Sequence, residues 1–121
     1  MEEIKKPIAI VTGSGGLIGS QSVKFLHDKG FYVVGIDNDM RSYFFGDEAS
    51  TKENNSALLN DYEDYESHNI DIRDYREMFN LFNHYGDSIE IIIHTAAQPS
   101  HDWAAKEPLT DFSVNATGTV N

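Results

Sequence analysis

Residues 8–19 read IAIVTGSGGLIG, and eighteen residues past Gly19 the apolar run FYVVGI, residues 31–36, ends on Asp37. Ile8 to Val11 make a short apolar stretch suited to a buried strand. Gly13, Gly16 and Gly19 follow at G-x-x-G-x-x-G spacing, and a helical pattern opens directly behind them. Gly13 permits a tight turn, Gly16 lets backbone approach a pyrophosphate, and Gly19 lets the helix pack closely on the sheet. The helix N-terminus then points its unpaired N–H groups and positive dipole end at the phosphates. Asp37, at the end of the next strand, can accept hydrogen bonds from both hydroxyls of a ribose. Strand, glycine turn, helix, strand and acid, in that order, point to a dinucleotide. The carboxylate repels a 2′-phosphate and so favours NAD over NADP, while Arg41, four residues on, is a group that tolerates one. A P-loop is excluded, because no Gly-Lys-Ser/Thr follows the turn.

A chain of 121 residues suggests one domain with a single core. The net charge of −11 argues against a nucleic-acid partner, whose phosphates it would repel. The absence of cysteine removes disulfides, thiol chemistry and Cys-type zinc sites, and the five histidines show no metal-ligand spacing. No apolar run approaches the roughly 20 residues of a membrane span. The opening MEEIKKPIAI does not read as a signal peptide, so a cytoplasmic setting is the expectation.

The elements alternate. A helix is expected from about Leu17 to Lys29, with Ile18, Ser22, Phe25 and Leu26 on one face and Gly30 as its stop. Phe31 to Ile36 reads as strand 2. Residues 38–56 read as a long loop with a helical turn after Ser50, and Tyr43, Phe44 and Phe45 are expected to pack over a sheet edge, a ligand or a partner. Ala57 to Tyr62 suggests a short helix and His68 to Ile72 a third strand. Asp74 and Glu77 form a capping box for a helix with Met78, Leu81, Phe82 and Tyr85 inward and Gly86 at its end. Ile89 to His94 reads as strand 4, TAAQPSHDW as a loop, and Pro108 as the first turn of a helix with Leu109 and Phe112 inward. This alternation predicts a parallel α/β sheet, Rossmann-like, with strands 1–4 in the order 3-2-1-4. The chain ends at Asn121 inside an apparent helix, so it reads as truncated before strand 5. It is thus the first part of one nucleotide-binding domain, without a substrate domain.

Other residues carry chemistry less decisively. Asp71 and Ile72 either flank an adenine or form the turn before the next helix. Ala96 and Ala97 follow strand 4, where small residues let backbone pass close to a ligand. His94 fits a satisfied strand-end histidine better than a ligand. Ser100, His101 and Asp102 adjoin in sequence, but sequence neighbours seldom converge on one reacting atom.

TGSGGLIG at 12–19, DND at 37–39, DIRD at 71–74, HTAAQ at 94–98 and NATGT at 115–119 together resemble the extended short-chain dehydrogenase/reductases, the NAD-dependent nucleotide-sugar epimerases and dehydratases. The stretches GIDNDMRSYFFGDEAST and HTAAQPSHDWAAKEPLTDF are similar to the CDP-paratose (CDP-tyvelose) 2-epimerase branch. The resemblance implies a retained NAD that oxidises a sugar carbon and returns the hydride to the opposite face. It implies that Leu17 and Ile18 meet the pyrophosphate through backbone N–H groups and that Asp37 and Asn38 hold the adenosine ribose. It places Asp71 and Ile72 beside adenine and Thr95, Ala96 and Ala97 on the path to the nicotinamide, with Gln98 a further cofactor-binding residue and Asn115 near the active site. The family's base lies in Tyr-x-x-x-Lys, and none of Tyr32, Tyr43, Tyr62, Tyr65, Tyr75 or Tyr85 has Lys four residues later. A segment that binds NAD without performing the redox step is therefore expected. Alternatives are a 4-epimerase or 4,6-dehydratase segment, or a stand-alone NAD(H)-binding or interaction module. Strand 4, lacking an outer neighbour, is expected to self-associate or meet a partner along its edge.

Overall fold

A computed structural model describes residues 6–39, 50–98 and 101–121, with the side chain of His101 excepted. Arg41, Tyr43, Phe44, Phe45 and Ser100 lie outside the described residues. Four parallel strands, β1 (Ile8–Thr12), β2 (Tyr32–Ile36), β3 (Tyr65–His68) and β4 (Ile89–His94), form one sheet in the order β3-β2-β1-β4. The helices are α1 (Leu17–Asp28), α2 (Lys52–Asp61), α3 (Tyr75–Tyr85), α4 (His101–Lys106), α5 (Pro108–Phe112) and α6 (Gly118–Val120). A five-residue π turn, Ser113–Thr117, joins α5 to α6.

The period-2 alternation of the central strands divides the core in two. Ala9, Val11 and Val33 face Val23 and Leu26 of α1 and Leu58 of α2. Ile10, Val34 and Ile36 face Met78 and Leu81 of α3, with Ile72 and Val114. Both faces of β1 and β2 are thereby covered, which is why both strands are apolar almost throughout. Gly35 is the exception in β2. A Cβ there would meet Ser14 Oγ at 2.5 Å and also the Tyr65 hydroxyl, so the glycine makes room for both.

Several expected boundaries move. β3 begins at Tyr65, three residues before the expected start, because Tyr65 carries the buried side chain that anchors the strand. Residues 69–72 form the connection to α3 instead. The helical turn expected after Ser50 and the short helix expected from Ala57 are one continuous helix, α2, from Lys52 to Asp61. HDWAAK, expected to begin in a loop, is helical, with Asp102 in its first turn and Lys106 in its last, both complementing the helix dipole. α1 buries Gly19, Ser20, Val23 and Leu26, whereas Ile18 and Phe25 are exposed. Leu109 and Phe112 also point outward, and Val114 and Gly118 turn inward instead. α3 matches expectation at both ends: Asp74 accepts from the Glu77 N–H at 3.2 Å, and Gly86, at φ +51°, closes the helix.

Candidate functional site at the carboxyl ends of the strands

β1, β2 and β4 deliver their carboxyl ends to one side, and a cleft of about 340 Å³ opens there. Its wall includes Gly13, Gly16, Leu17, Ile18 and Gly19 from the turn and the start of α1. Asp37 and Asn38 follow β2, Asp71 and Ile72 follow β3, and Thr95, Ala96 and Ala97 follow β4. Ile36, Thr51, Ile70 and Val114 complete it. Residues spread over more than eighty positions of sequence thus converge where parallel sheets bind ligands.

The turn is shaped by backbone. Gly13 has φ +71°, a left-handed conformation that a side chain disfavours. Its N–H donates to the Ile36 carbonyl at 2.7 Å, which ties the turn to the end of β2. A Cβ on Gly13 would also meet Thr95 Oγ1 at 2.7 Å and Ala96 N at 2.9 Å. A Cβ on Gly19 would overlap the Gly13 carbonyl, so this glycine seats α1 on the turn rather than on the sheet. Beside Gly16 a Cβ would meet, among the described residues, only the Gly13 carbonyl, at 3.3 Å. Among the described residues no side chain caps α1, and no acidic residue lies in its first turn. The early N–H groups of a helix have no partner within it, so those of Leu17, Ile18 and Gly19 are offered at the cleft. Leu17 is 77% and Ile18 64% exposed, an unusual display of apolar side chains beside a pocket.

Asp37 does not stand alone. Its Oδ2 accepts from the Gly15 N–H at 2.9 Å, and its Oδ1 accepts from the Asp39 N–H at 2.7 Å and the Thr51 hydroxyl at 2.9 Å. Asp71 is paired as well. Arg73 approaches both its oxygens, with Nε at 3.0 and 2.9 Å and Nη2 at 2.6 Å. Burial pushes the Asp71 carboxyl up, but the hydrogen bonds and charge of Arg73 outweigh it and hold the group below its ordinary value. The Asp71 carboxylate therefore serves Arg73, while Ile72 is buried against α6, where Gly118 leaves room for it.

Thr12, which sequence reasoning passed over, joins the turn to the segment after β4. Its hydroxyl accepts from the N–H groups of Thr95 at 3.1 Å and Ala96 at 3.2 Å. With both acceptor positions used, its proton goes to His94 Nδ1 at 2.6 Å. His94 Nε2 then carries the ring proton and donates to Thr119 Oγ1 at 2.9 Å, which donates to the Asn115 carbonyl at 2.9 Å. His94 is a structural link in this chain of bonds. Gln98 and Asn115 stand apart from the cleft wall. The Asn115 side chain accepts from the Gln98 N–H at 2.7 Å and donates to its carbonyl at 2.9 Å, and Gln98 Nε2 donates to Asp111 at 2.6 Å. These residues shape the loop after β4 from behind. The backbone cradle, the uncapped helix and the ringed carboxylate fit a dinucleotide's pyrophosphate and ribose. The volume lies within the range of small-ligand sites, about 300–1,000 Å³.

Comparison with known proteins agrees with this geometry. The family model described as "NAD dependent epimerase/dehydratase family" matches residues 9–121. The chain is similar to a UDP-glucuronate 4-epimerase of Thermodesulfobacterium geofontis, 30% identical over 112 residues, covering 93% of this chain and 33% of that protein. It is similar in structure to the UDP-glucose 4-epimerase of Thermotoga maritima solved with UDP-glucose, at TM-score 0.73 and 26% identity, over 93% of this chain and 31% of that one. It is likewise similar to the UDP-glucose 4-epimerase of Thermus thermophilus in complex with NAD, at TM-score 0.70 and 26% identity, with the same coverage. The chain spans about a third of the length of the curated relatives it matches. A glycine turn, an acid after β2 and a cleft across four strand ends thus sit on a fold shared with proteins of one kind, and the chain belongs to the NAD-dependent epimerase/dehydratase family.

Proposed function

We propose that this chain forms the adenosine and pyrophosphate side of an NAD site in a nucleotide-sugar epimerase. The observation that carries the reading is the convergence of the uncapped α1 N-terminus with the Asp37 carboxylate in one cleft. Bound NAD supplies a hydride acceptor and donor at its nicotinamide. The chain's own residues bind and orient. Leu17, Ile18 and Gly19 offer N–H groups to the pyrophosphate, Asp37 and Asn38 meet the ribose, and Ile70 and Ile72 give adenine an apolar wall beside Asp71. Thr95, Ala96 and Ala97 keep the route past β4 free of bulk. Gln98 and Asn115 act behind that route, by holding its backbone. No lysine or arginine stands among the described residues of the cleft wall, which suits an unphosphorylated ribose.

Two finer readings are carried by different observations. The stretches at 35–51 and 94–112 support a CDP-sugar 2-epimerase, whereas the relatives support a UDP-sugar 4-epimerase. Epimerisation assays of the complete gene product with CDP- and UDP-hexoses separate them by which sugar carbon inverts. The cofactor reading is tested by calorimetry of the chain with NAD+. Binding is expected, together with a loss of about tenfold or more for Asp37→Ala, the size of a hydrogen bond to a charged group. Absence of binding, or an indistinguishable variant, would overturn it.

A further inference from the structure

Thr51 occupies the N-cap position of α2, where a threonine hydroxyl ordinarily accepts from an N–H of the helix's first turn. Here it makes no such bond. The hydroxyl turns back instead to two carboxylates, Asp37 Oδ1 at 2.9 Å and Asp39 Oδ1 at 3.1 Å. The residue is only 7% exposed, and its surface forms part of the cleft wall. The first turn of α2 is also pressed onto the glycine turn. A Cβ on Gly15 would meet Thr51 Cβ at 2.8 Å, and Asn54 Nδ2 donates to the Gly15 carbonyl at 3.0 Å. Asp39 is held in a left-handed conformation, φ +59°, by bonds from Ser50 Oγ and the Thr51 N–H, each 2.7 Å. That conformation aims its own N–H at Asp37 Oδ1.

We propose that Thr51 is a positioning residue for the ribose end of the site, which fixes the Asp37 carboxylate and thereby sets selectivity against a 2′-phosphate. The inference rests on the reading of the cleft as an NAD site. A carboxylate oxygen has two lone pairs. Those of Asp37 Oδ1 are taken by Asp39 N–H and Thr51, and one of Oδ2 by Gly15, so among the described residues a single position on Oδ2 stays open to a ribose hydroxyl. With its proton given to the carboxylates, Thr51 Oγ1 keeps lone pairs that can accept from the neighbouring ribose hydroxyl. A 2′-phosphate has no such proton to give and would meet two carboxylates drawn together around one hydroxyl.

The test compares the whole chain with Thr51→Val, which keeps the shape and removes the donor, and Thr51→Ser, which restores it. NAD+ and NADP+ are titrated by calorimetry. Thr51→Val is expected to weaken NAD+ about tenfold and to shrink the preference over NADP+, with Thr51→Ser close to wild type. A preference unchanged in Thr51→Val, or an equal loss for both cofactors that serine does not rescue, overturns the proposal. The Gly15 amide proton reports the clamp without cofactor. Its resonance is expected to move upfield in Thr51→Val and to return in Thr51→Ser, and an unmoved resonance overturns the clamp. Wild type that binds neither cofactor counts against the NAD site, and the amide proton then decides the clamp alone. Should Thr51→Val not fold, Asp39→Asn removes one charge at constant shape: a smaller preference for NAD+ supports the proposal, and an unchanged one overturns it.

Discussion

Asp71 lines the cleft and at the same time forms a brace with Arg73, two residues on. The guanidinium grips the carboxylate from the side and reaches Ser113 Oγ at 3.3 Å, so the connection after β3 is tied to the helical segment after β4. Because Asp71 titrates below its ordinary value, its pairing stabilises the fold fully above the usual carboxylate range, about pH 4. That contribution disappears as pH falls through the lowered value. Arg73→Met is expected to flatten the dependence of urea stability on pH between neutral and strongly acid solution. An unchanged pH profile would remove Arg73 as the cause. Neither the brace nor Thr12 was legible in the chain as written. Asp71 reads equally as a turn residue or an adenine neighbour, and a threonine before a glycine carries no signal until the residues after β4 are folded against it.

Among the elements, α3 was legible at both ends, since a D-x-x-E cap and a terminal glycine act within one turn of chain. Asp74→Ala is expected to cost about 1 kcal/mol by urea denaturation, the usual worth of such a cap. No change would show that the 3.2 Å bond contributes nothing there. α1 was legible in extent but not in rotation. Periodicity placed Ile18 and Phe25 inward, yet Gly19 must face the Gly13 carbonyl, and this turns Val23 and Leu26, four and seven residues on, to the core. Leu17 and Ile18 are left at the cleft. β3 slid because its four residues, YESH, carry one buried anchor and little pattern. The turn after Ser50 and the helix from Ala57 read as separate pieces, and what joins them at the sheet is a first turn seated on Gly15, a contact between residues nearly forty apart.

At the scale of the whole molecule, β4 is an edge strand that pairs with β1 alone among the described strands. Its residues alternate between half-buried and exposed, and Ile92 is 48% exposed. Unpaired apolar edges template association, and a lysine on such an edge opposes it. Sedimentation of the chain is expected to depend on concentration, with Ile92→Lys shifting it toward monomer. A monomer at every concentration would count against an edge that recruits. The glycine turn and the acid after β2 were determined by sequence alone, because each rests on local chemistry, glycine's lack of a side chain and a charge at a strand end; the order 3-2-1-4 followed from the alternation of strands and helices through the rules for right-handed crossovers. Tertiary structure alone decided which groups share a carboxylate. Thr51 reaches Asp37 and Asp39, Arg73 takes Asp71, and the Asn115 side chain ties both backbone groups of Gln98. A hydrogen bond is fixed within a few tenths of an ångström, and no pattern along the chain sets distances that only the docking of helices on a sheet creates.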